Sequence, residues 1–473
     1  MEIKNICCIG AGYVGGPSMA VIADKCPEIQ INVVDLNEDR INKWNDINLD
    51  KLPIFEPGLA EIVGRCRGKN LHFSTSINEK IKNADMVFIS VNTPTKKNGL
   101  GAGKASDLKW VEACARQVAI NASGHTIVVE KSTLPVRTAE VIKSILDASK
   151  IDSKALKLKT FDVLSNPEFL AEGTAINDLL YPDRILIGGE NTHSINALSK
   201  IYSRWVIKEK ILHTNIWSSE LAKLTANAFL AQRISSINAI AALCEATGAD
   251  VREVSRAIGA DSRIGSKFLD ASPGFGGSCF KKDILNLVYL AEYFGLQEVA
   301  KFWESVVSLN NWHQKRISKL ITKKLFGTIS GKKIIILGFA FKGNTNDTRE
   351  SAAINICKDL LDEGAFLCIH DPKVSKEQIT KDLGIKSCEH NKKIINAINE
   401  KGSWKFINDI NESLYDVDAI VILTDWLMYK NIDWDLAEKR MRKPAWVFDS
   451  RSLIDPENIE NNSFNFWRIG DGS

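Results

Sequence analysis

Cys279 stands at the end of a run of small residues, with Ser272, Pro273, Gly274, Gly276, Gly277 and Ser278 before it and an apolar helical pattern over residues 284–293 after it. Glycine tolerates positive φ and lets a ligand approach the backbone closely, so residues 272–283 read as a tight loop entering a helix. A sulfur just ahead of a helix N-terminus sits where unpaired N–H groups favour negative charge, which is where a nucleophile belongs. For a lone cysteine the plainer reading is a buried side chain in a glycine turn, so its neighbours decide the matter. A second group of residues suited to chemistry opens the chain. Gly10, Ala11, Gly12, Tyr13, Val14 and Gly15 follow a strand pattern over residues 2–9 and open a helical pattern over 16–26. Asp35 then closes the next strand pattern, twenty residues after Gly15. In that setting G-x-G-x-x-G is specific: Gly10 makes the turn, Gly12 admits a pyrophosphate to the backbone amides, Gly15 allows close helix packing, and Asp35 accepts from ribose hydroxyls. A carboxylate there repels a 2′-phosphate, which favours NAD over NADP.

The elements that must position these groups alternate. Strand patterns over residues 86–90, 126–130, 162–165 and 184–188 are separated by helical patterns over 108–122 and 136–148. Such alternation argues for a doubly wound parallel sheet, whose ligands bind beyond the carboxyl ends of its strands. The polar loops 91–95, 131–135 and 166–173 lie at such ends, making Thr133, Glu168 and Glu172 candidates to line a site, with capping or turn roles equally open to each. A helical pattern over 218–247 is too long for an ordinary βα unit and reads as a spine between domains. On it Lys223 and Asn227, four apart, share a face in a largely apolar stretch where a polar pair needs partners. Strand patterns over 333–338, 366–370, 419–423 and 446–448 predict a second, smaller α/β unit. It lacks G-x-G-x-x-G and offers Lys342, Arg349 and Arg451 as cations for phosphates, with surface charge as the plainer role for each. Residues 386–413 are polar and weakly periodic and read as a long surface excursion.

Composition bounds the partners. The 473 residues suit two or three domains, and 44% apolar with 25% charged residues is ordinary for a globular protein. A net charge of +3, from 61 basic and 58 acidic residues, gives no reason to expect nucleic acid or a membrane surface, so small molecules are the expected partners. The ten cysteines show no Cys-x-x-Cys and no histidine at zinc spacing, so no metal is expected. No apolar run approaches the ~20 residues of a membrane span, and a reducing, cytoplasmic compartment is expected.

Taken together, residues 10–17, 91–95, 130–133, 165–174, 218–224, 274–280 and 338–342 carry a resemblance that runs from residue 2 to about residue 455. The chain resembles the UDP-glucose/GDP-mannose dehydrogenase family, and within it the animal-type UDP-glucose 6-dehydrogenases. The Gly-Gly-Ser-Cys-Phe loop at 276–280 and the Asn-Pro-Glu-Phe-Leu-Ala-Glu segment at 166–172 are its most specific marks. The resemblance implies two Rossmann-like doubly wound domains joined by a long central helix and a helical domain. Their expected extents are an NAD-binding domain over 1–213, a helical domain with the cysteine loop and dimer interface over 214–328, and a UDP-sugar domain over 329–473. It also implies a reaction: four-electron oxidation of UDP-glucose to UDP-glucuronate with two NAD, through a thiohemiacetal and then a thioester on Cys279, followed by hydrolysis.

By similarity, Lys223 and Asn227 stabilise the developing oxyanion, Asp283 assists proton transfer, and Glu168 with Thr133 manages water and protons. UDP-glucose contacts are implied for Glu168, Phe169, Leu170, Ala171 and Glu172, for Lys223 and Asn227, and for Phe275, Gly276, Phe341, Lys342 and Arg451. Arg263 is expected to reach a neighbouring subunit's site. NAD contacts are implied for residues 10–15, Asp35, Arg40, Val91, Asn92, Thr93, Pro94, Thr95, Ser132, Glu172 and Arg349. The family resemblance further implies homo-oligomers, as dimers or hexamers, and feedback inhibition by UDP-xylose. Asp270 departs from the lysine common in animal-type relatives, beside the sugar-nucleotide loop. Two other readings stay open: a dehydrogenase of GDP-mannose or UDP-N-acetylmannosamine, and a non-catalytic nucleotide-sugar sensor, which has no reason to keep Cys279, Lys223 and Asp283 together.

Overall fold

A computed structural model describes residues 2–133, 135–148, 159–388, 401–460 and 463–472. By its contacts the chain divides into two compact units, one formed by residues 1–226 and 285–297 and the other by 227–284 and 298–473.

The first unit is built on an eight-stranded sheet. Its strands are β1 (Asn5–Ile9), β2 (Gln30–Val34), β3 (Leu71–Ser74), β4 (Met86–Ile89), β5 (His125–Glu130), β6 (Thr160–Ser165), β7 (Ile185–Gly188) and β8 (Ile211–Thr214). Their order is β3-β2-β1-β4-β5-β6-β7-β8, parallel except where β6 meets β7 antiparallel through Ser165 and Gly188. The inner strands are apolar on both faces, as a sheet covered by helices on both sides requires; Ile6, Cys7, Cys8, Val87 and Phe88 are fully buried. Chain reversal at β1 and β4 makes the switch point at which such sheets take ligands. The periodicity of the sequence gave no sign of β3 or β8, which are four residues each.

The second unit carries a six-stranded, wholly parallel sheet: β9 (Lys333–Leu337), β10 (Phe366–His370), β11 (Ser403–Phe406), β12 (Ala419–Ile422), β13 (Ala445–Asp449) and β14 (Phe464–Arg468). Its order, β11-β10-β9-β12-β13-β14, repeats that of the first six strands of the other sheet. The fold is therefore the expected pair of Rossmann-like doubly wound sheets, accompanied by the long helices Ile216–Thr247 and Gln297–Lys324. The expected surface excursion over 386–413 is corrected in part. Residues 403–406 form the edge strand β11, and Trp404 is fully buried, because alternation places it on the covered face. Residues 389–400 of that stretch lie outside the described residues.

The two sheets solve their first turn alike. Gly10 and Gly338 end β1 and β9 with φ of 111° and 95°. A Cβ at Gly10 would lie 2.5 Å from the Ser90 carbonyl oxygen, and one at Gly338 would lie 2.2 Å from the Thr424 Cβ, so both turns pack against the strand across the switch point. They diverge at the acid after the second strand. Asp371 is 3% exposed, and its Oδ2 accepts from the Phe339 N–H (2.7 Å), the Ala340 N–H (3.0 Å) and the Trp426 indole (3.2 Å). Its Oδ1 takes the N–H groups of Lys373 and Val374. Among the described residues no helix is long and apolar enough to cross a membrane. Asp371→Ala strips buried donors of their acceptor and is expected to destabilise the second unit by about 3 kcal/mol or more, read as a lowered midpoint in thermal unfolding; an unchanged midpoint would show that water replaces the carboxylate.

Candidate functional site

In the first unit the glycine loop is shaped by neighbours that leave no room for side chains. A Cβ at Gly15 would sit 2.0 Å from the Gly10 oxygen, and one at Gly16 would sit 2.3 Å from the Trp44 ring. Trp44, fully buried and stacked on Phe73, donates its indole N–H to the Ala11 carbonyl at 3.0 Å. At Gly12, by contrast, a Cβ would meet nothing within 4 Å, so that face of the loop is open. The helix Gly15–Lys25 begins without a side-chain cap at Val14. Asp35 accepts from the Ala11 N–H at 2.9 Å and from Arg40 at 3.0 Å, which fixes the acid at the loop's edge. An open cradle beside uncapped helix amides, with an acid at the end of β2, fits a dinucleotide. The loops after β4 and β5 are stitched together: Thr93 donates to the Thr133 carbonyl at 3.0 Å and Ser132 to the Val91 carbonyl at 2.7 Å. Asn92 and Pro94 are exposed, and Thr95 bridges Ser106 to close the excursion that follows.

Beyond β6, Glu168 accepts at Oε2 from the Lys131 ammonium (2.8 Å) and the Ser18 hydroxyl (3.3 Å), and at Oε1 from the Phe169 N–H (2.9 Å). Burial pushes its carboxyl up, but the Lys131 ammonium, the Phe169 N–H and Lys223 outweigh it and hold Glu168 below the usual carboxylate range. The Lys223 ammonium lies 5.1 Å from the centre of the Phe169 ring, and the Arg184 guanidinium 3.9 Å. Leu170 packs against the core, and the N–H of Ala171 is held by Asp178. Glu172 is half-buried; just after it, Glu56 takes the N–H groups of Gly173 and Ala175. Neither Lys131 nor Glu56 stood out in the sequence.

In the second unit, residues 271–277 are buried without regular structure, and side chains from two helices meet their backbone. Asn310 accepts from the Phe275 N–H (2.9 Å) and donates to the Phe275 carbonyl (3.1 Å). Asn238 accepts from the Ser272 N–H (2.9 Å), and His313 donates through Nε2 to the Ser272 carbonyl (3.0 Å). Gly274, at φ 134°, lies under Asn310, where a Cβ would approach its Oδ1 to 2.6 Å. Gly276 and Gly277 lie against Phe341, and the Gly277 N–H donates to the Arg349 carbonyl. The chain then exposes Cys279 one residue ahead of the helix Phe280–Tyr293, as expected, with the Ser278 hydroxyl 3.4 Å from its sulfur. Asp283 in that helix's first turn accepts from the Asn227 amide at 2.6 Å, and both are buried.

The cations are more constrained than the sequence suggested. Arg451 spends Nε on the Leu423 carbonyl and Nη2 on the Phe341 carbonyl. Lys342 lies 5.6 Å from the Phe341 ring centre. Arg349 and Arg263 each fork onto an aspartate two residues earlier, Asp347 and Asp261, and the Arg263 side chain is 86% exposed. Among the described residues no group of three or more His, Cys, Asp and Glu is placed to hold a metal ion.

Fold and cradle define a class, a dehydrogenase with two nucleotide-type sheets, the first of them shaped for a dinucleotide. The sequence matches the UDP-glucose/GDP-mannose dehydrogenase family in its NAD-binding domain over residues 4–206, its central domain over 217–312 and its UDP-binding domain over 335–456. It is 57% identical to UDP-glucose 6-dehydrogenase of Gallus gallus over 96% of this chain and 90% of that one. It is 52% identical to UDP-glucose 6-dehydrogenase 3 of Arabidopsis thaliana over 98% and 97%. A solved UDP-glucose dehydrogenase from Pyrobaculum islandicum superposes with a TM-score of 0.83 at 29% identity, covering 100% of this chain and 98% of that one. The chain belongs to the UDP-glucose/GDP-mannose dehydrogenase family.

Burial, with the Arg316 cation nearby, drives the His313 imidazole down from 6.5 to about 3, so it is neutral in the fold. Because its folded value is depressed, the stability it contributes is complete above 6.5 and is lost as pH falls toward 3. His313→Gln, which keeps a donor for the Ser272 carbonyl, is expected to flatten the fall in unfolding midpoint just below 6.5; an unchanged slope would remove His313 as its source. Asp35→Ala is expected to weaken NAD roughly tenfold or more by calorimetry while leaving the nucleotide sugar nearly untouched, and an equal loss for both would misplace the cofactor site.

Proposed function

We propose that this chain oxidises the C6 alcohol of UDP-glucose to the carboxylate of UDP-glucuronate. The observation that carries the reading is Cys279, an exposed thiol at a helix start, set on a buried loop and preceded by a backbone held at Ser272 and Phe275. Identity above 50% to relatives named for this activity supports it. Bound in the Gly10–Gly15 cradle with Asp35, Arg40, residues 91–95, Ser132, Glu172 and Arg349, NAD supplies a hydride acceptor for each of two oxidations.

The first oxidation takes a hydride from C6 and a proton from its hydroxyl, leaving an aldehyde. The Cys279 sulfur then bonds to that carbon, which keeps the aldehyde from escaping, and Lys223 and Asn227 donate to the oxygen as it gains charge. Loss of a second hydride from that carbon, with the hydroxyl proton of the thiohemiacetal, leaves a thioester. Water attacks the thioester carbon, the carbon–sulfur bond breaks, and sulfur is returned with the carboxylate product. Asp283 serves the proton transfers, while Glu168 and Thr133 hold the water. The sugar nucleotide is bound by Phe169, Leu170, Ala171, Glu172, Phe275, Gly276, Phe341, Lys342 and Arg451, with Arg263 acting toward a second copy. Within the two-sheet fold we assign NAD to residues 1–213, the cysteine loop to 214–328 and the uridine diphosphate to 329–473.

The half-exposed aromatic group of Phe229, Phe302 and Trp303 supports assembly as a homo-oligomer. All ten cysteines are free thiols, which supports a cytoplasmic setting. Feedback inhibition by UDP-xylose belongs to the same proposal. The reaction is tested by oxidising limiting UDP-glucose to completion, beside GDP-mannose and UDP-N-acetylmannosamine: two equivalents of NADH and UDP-glucuronate by mass are expected. Cys279→Ser is expected to abolish acid formation, and sustained four-electron turnover in that variant would sink the covalent route.

A further inference from the structure

Behind Glu168 lies a buried polar cluster of the first unit, Lys131 with Asn166 and Tyr202, that has no part in the roles assigned above. Lys131, the first residue after β5, is 2% exposed, and its ammonium has three acceptors for its three N–H groups: Glu168 Oε2 at 2.8 Å, Asn166 Oδ1 at 3.1 Å and the Tyr202 oxygen at 3.2 Å. Each acceptor is itself fixed. The Tyr202 hydroxyl donates to Asn166 Oδ1 at 2.6 Å, and the Asn166 amide donates to the Leu186 carbonyl at 2.8 Å, which sets its orientation. Asn166 is 1% exposed and Tyr202 is 2% exposed. Glu168 is the one carboxylate among these acceptors. An ammonium taken out of water is costly and gains little over a well-packed apolar side chain if stability were its only product. The cluster ties the loops after β5 and β6, where Thr133 and Glu168 stand, to one fixed charge.

We propose that Lys131 is a positioning residue for the reaction: its buried ammonium holds Glu168 as an oriented carboxylate with one acceptor position left for the proton of a water or a substrate hydroxyl. An ionised carboxylate offers about four acceptor positions, and Lys131, Ser18 and the Phe169 N–H fill three. The inference rests on Glu168 being a group of the reacting site. The charged and titratable groups facing Glu168 are Lys131 from the end of β5, Tyr202 from the helix Thr192–Tyr202 and Lys223 from the helix Ile216–Thr247; Arg184 lies on the neighbouring Phe169 ring. Of the two lysines, Lys131 opposes the effect of burial more strongly. Without it Glu168 keeps its proton to higher pH and offers a donor where an acceptor is required.

The test compares turnover against pH, and thermal unfolding, for the full chain, Lys131→Met, Glu168→Gln and the double variant. Lys131→Met is expected to move the acid limb of turnover up by about one unit or more, so that it loses roughly tenfold well down that limb and regains most of that on the plateau above it. KM for the sugar nucleotide should stay within about threefold, since the Lys131 ammonium is buried. A folded Lys131→Met with its acid limb in place, or with a loss that does not vary with pH, would overturn the role. If Lys131→Met unfolds, the double variant decides: recovered folding marks a buried carboxylate left without its cation, while losses that simply add would refute the coupling. Full turnover in Glu168→Gln would instead overturn the reading of Glu168 itself. Loss there with an unmoved limb in Lys131→Met would overturn Lys131 alone.

Discussion

A buried stretch of backbone without helix or strand has no ladder to satisfy its N–H and C=O groups, and each one left unpaired costs free energy. Residues 271–277 are such a stretch, and the second unit is arranged around that demand. Asn310 closes both groups of Phe275, while Asn238 and His313 divide those of Ser272. Their reward is rigidity: a loop that must present a nucleophile gains it from partners that leave no slack. Asn310 and His313 are three apart on one helix and so share a face, and Ile237, Ile317 and Ile321 on the same two long helices are buried.

The same economy governs the first unit. Loops after β4 and β5 are joined by hydroxyl-to-carbonyl bonds from Thr93 and Ser132, and those after β5 and β6 by Lys131. The two hydroxyl bonds are weak in isolation, at about 1 kcal/mol net each, and the one from the Lys131 ammonium is stronger, at about 2 kcal/mol. Placed in series they remove the freedom of loops that would otherwise move separately. Trp44 does for the glycine loop what Asn310 does for the cysteine loop, bracing its backbone from behind and leaving the open face at Gly12 clear.

Much of this was legible in the chain. Strand, glycine turn and acid at the right spacing placed Gly10, Gly12, Gly15 and Asp35, and a run of small residues before an apolar pattern placed Cys279 at a helix start. Both are local signals, written within a few turns of chain. The long helix was foreseen over 218–247 and found at Ile216–Thr247 for the same reason. What stayed hidden depends on distant partners. Asn310 and His313 look like ordinary polar positions of an amphipathic helix, because the backbone they serve lies far upstream. Lys131 reads as loop charge until Asn166 and Tyr202 are brought beside it. Strand direction at β6 and β7, and the edge strands β3, β8 and β11, are set by neighbours and by runs too short to show a period.

The repeated strand order puts an acid after the second strand of both sheets. In the first sheet Asp35 accepts from the Ala11 and Asn37 N–H groups and from Arg40 beside an open loop; in the second, Asp371 is an internal bolt closed by five donors. An engineer who wished to seat a dinucleotide on the second sheet would find the needed carboxylate already present and already occupied. Adding groups would not suffice. Ala340, which stands where the first sheet has Gly12, would have to give way to glycine, and every donor now resting on Asp371 would need a new acceptor before the acid could be released to a ligand.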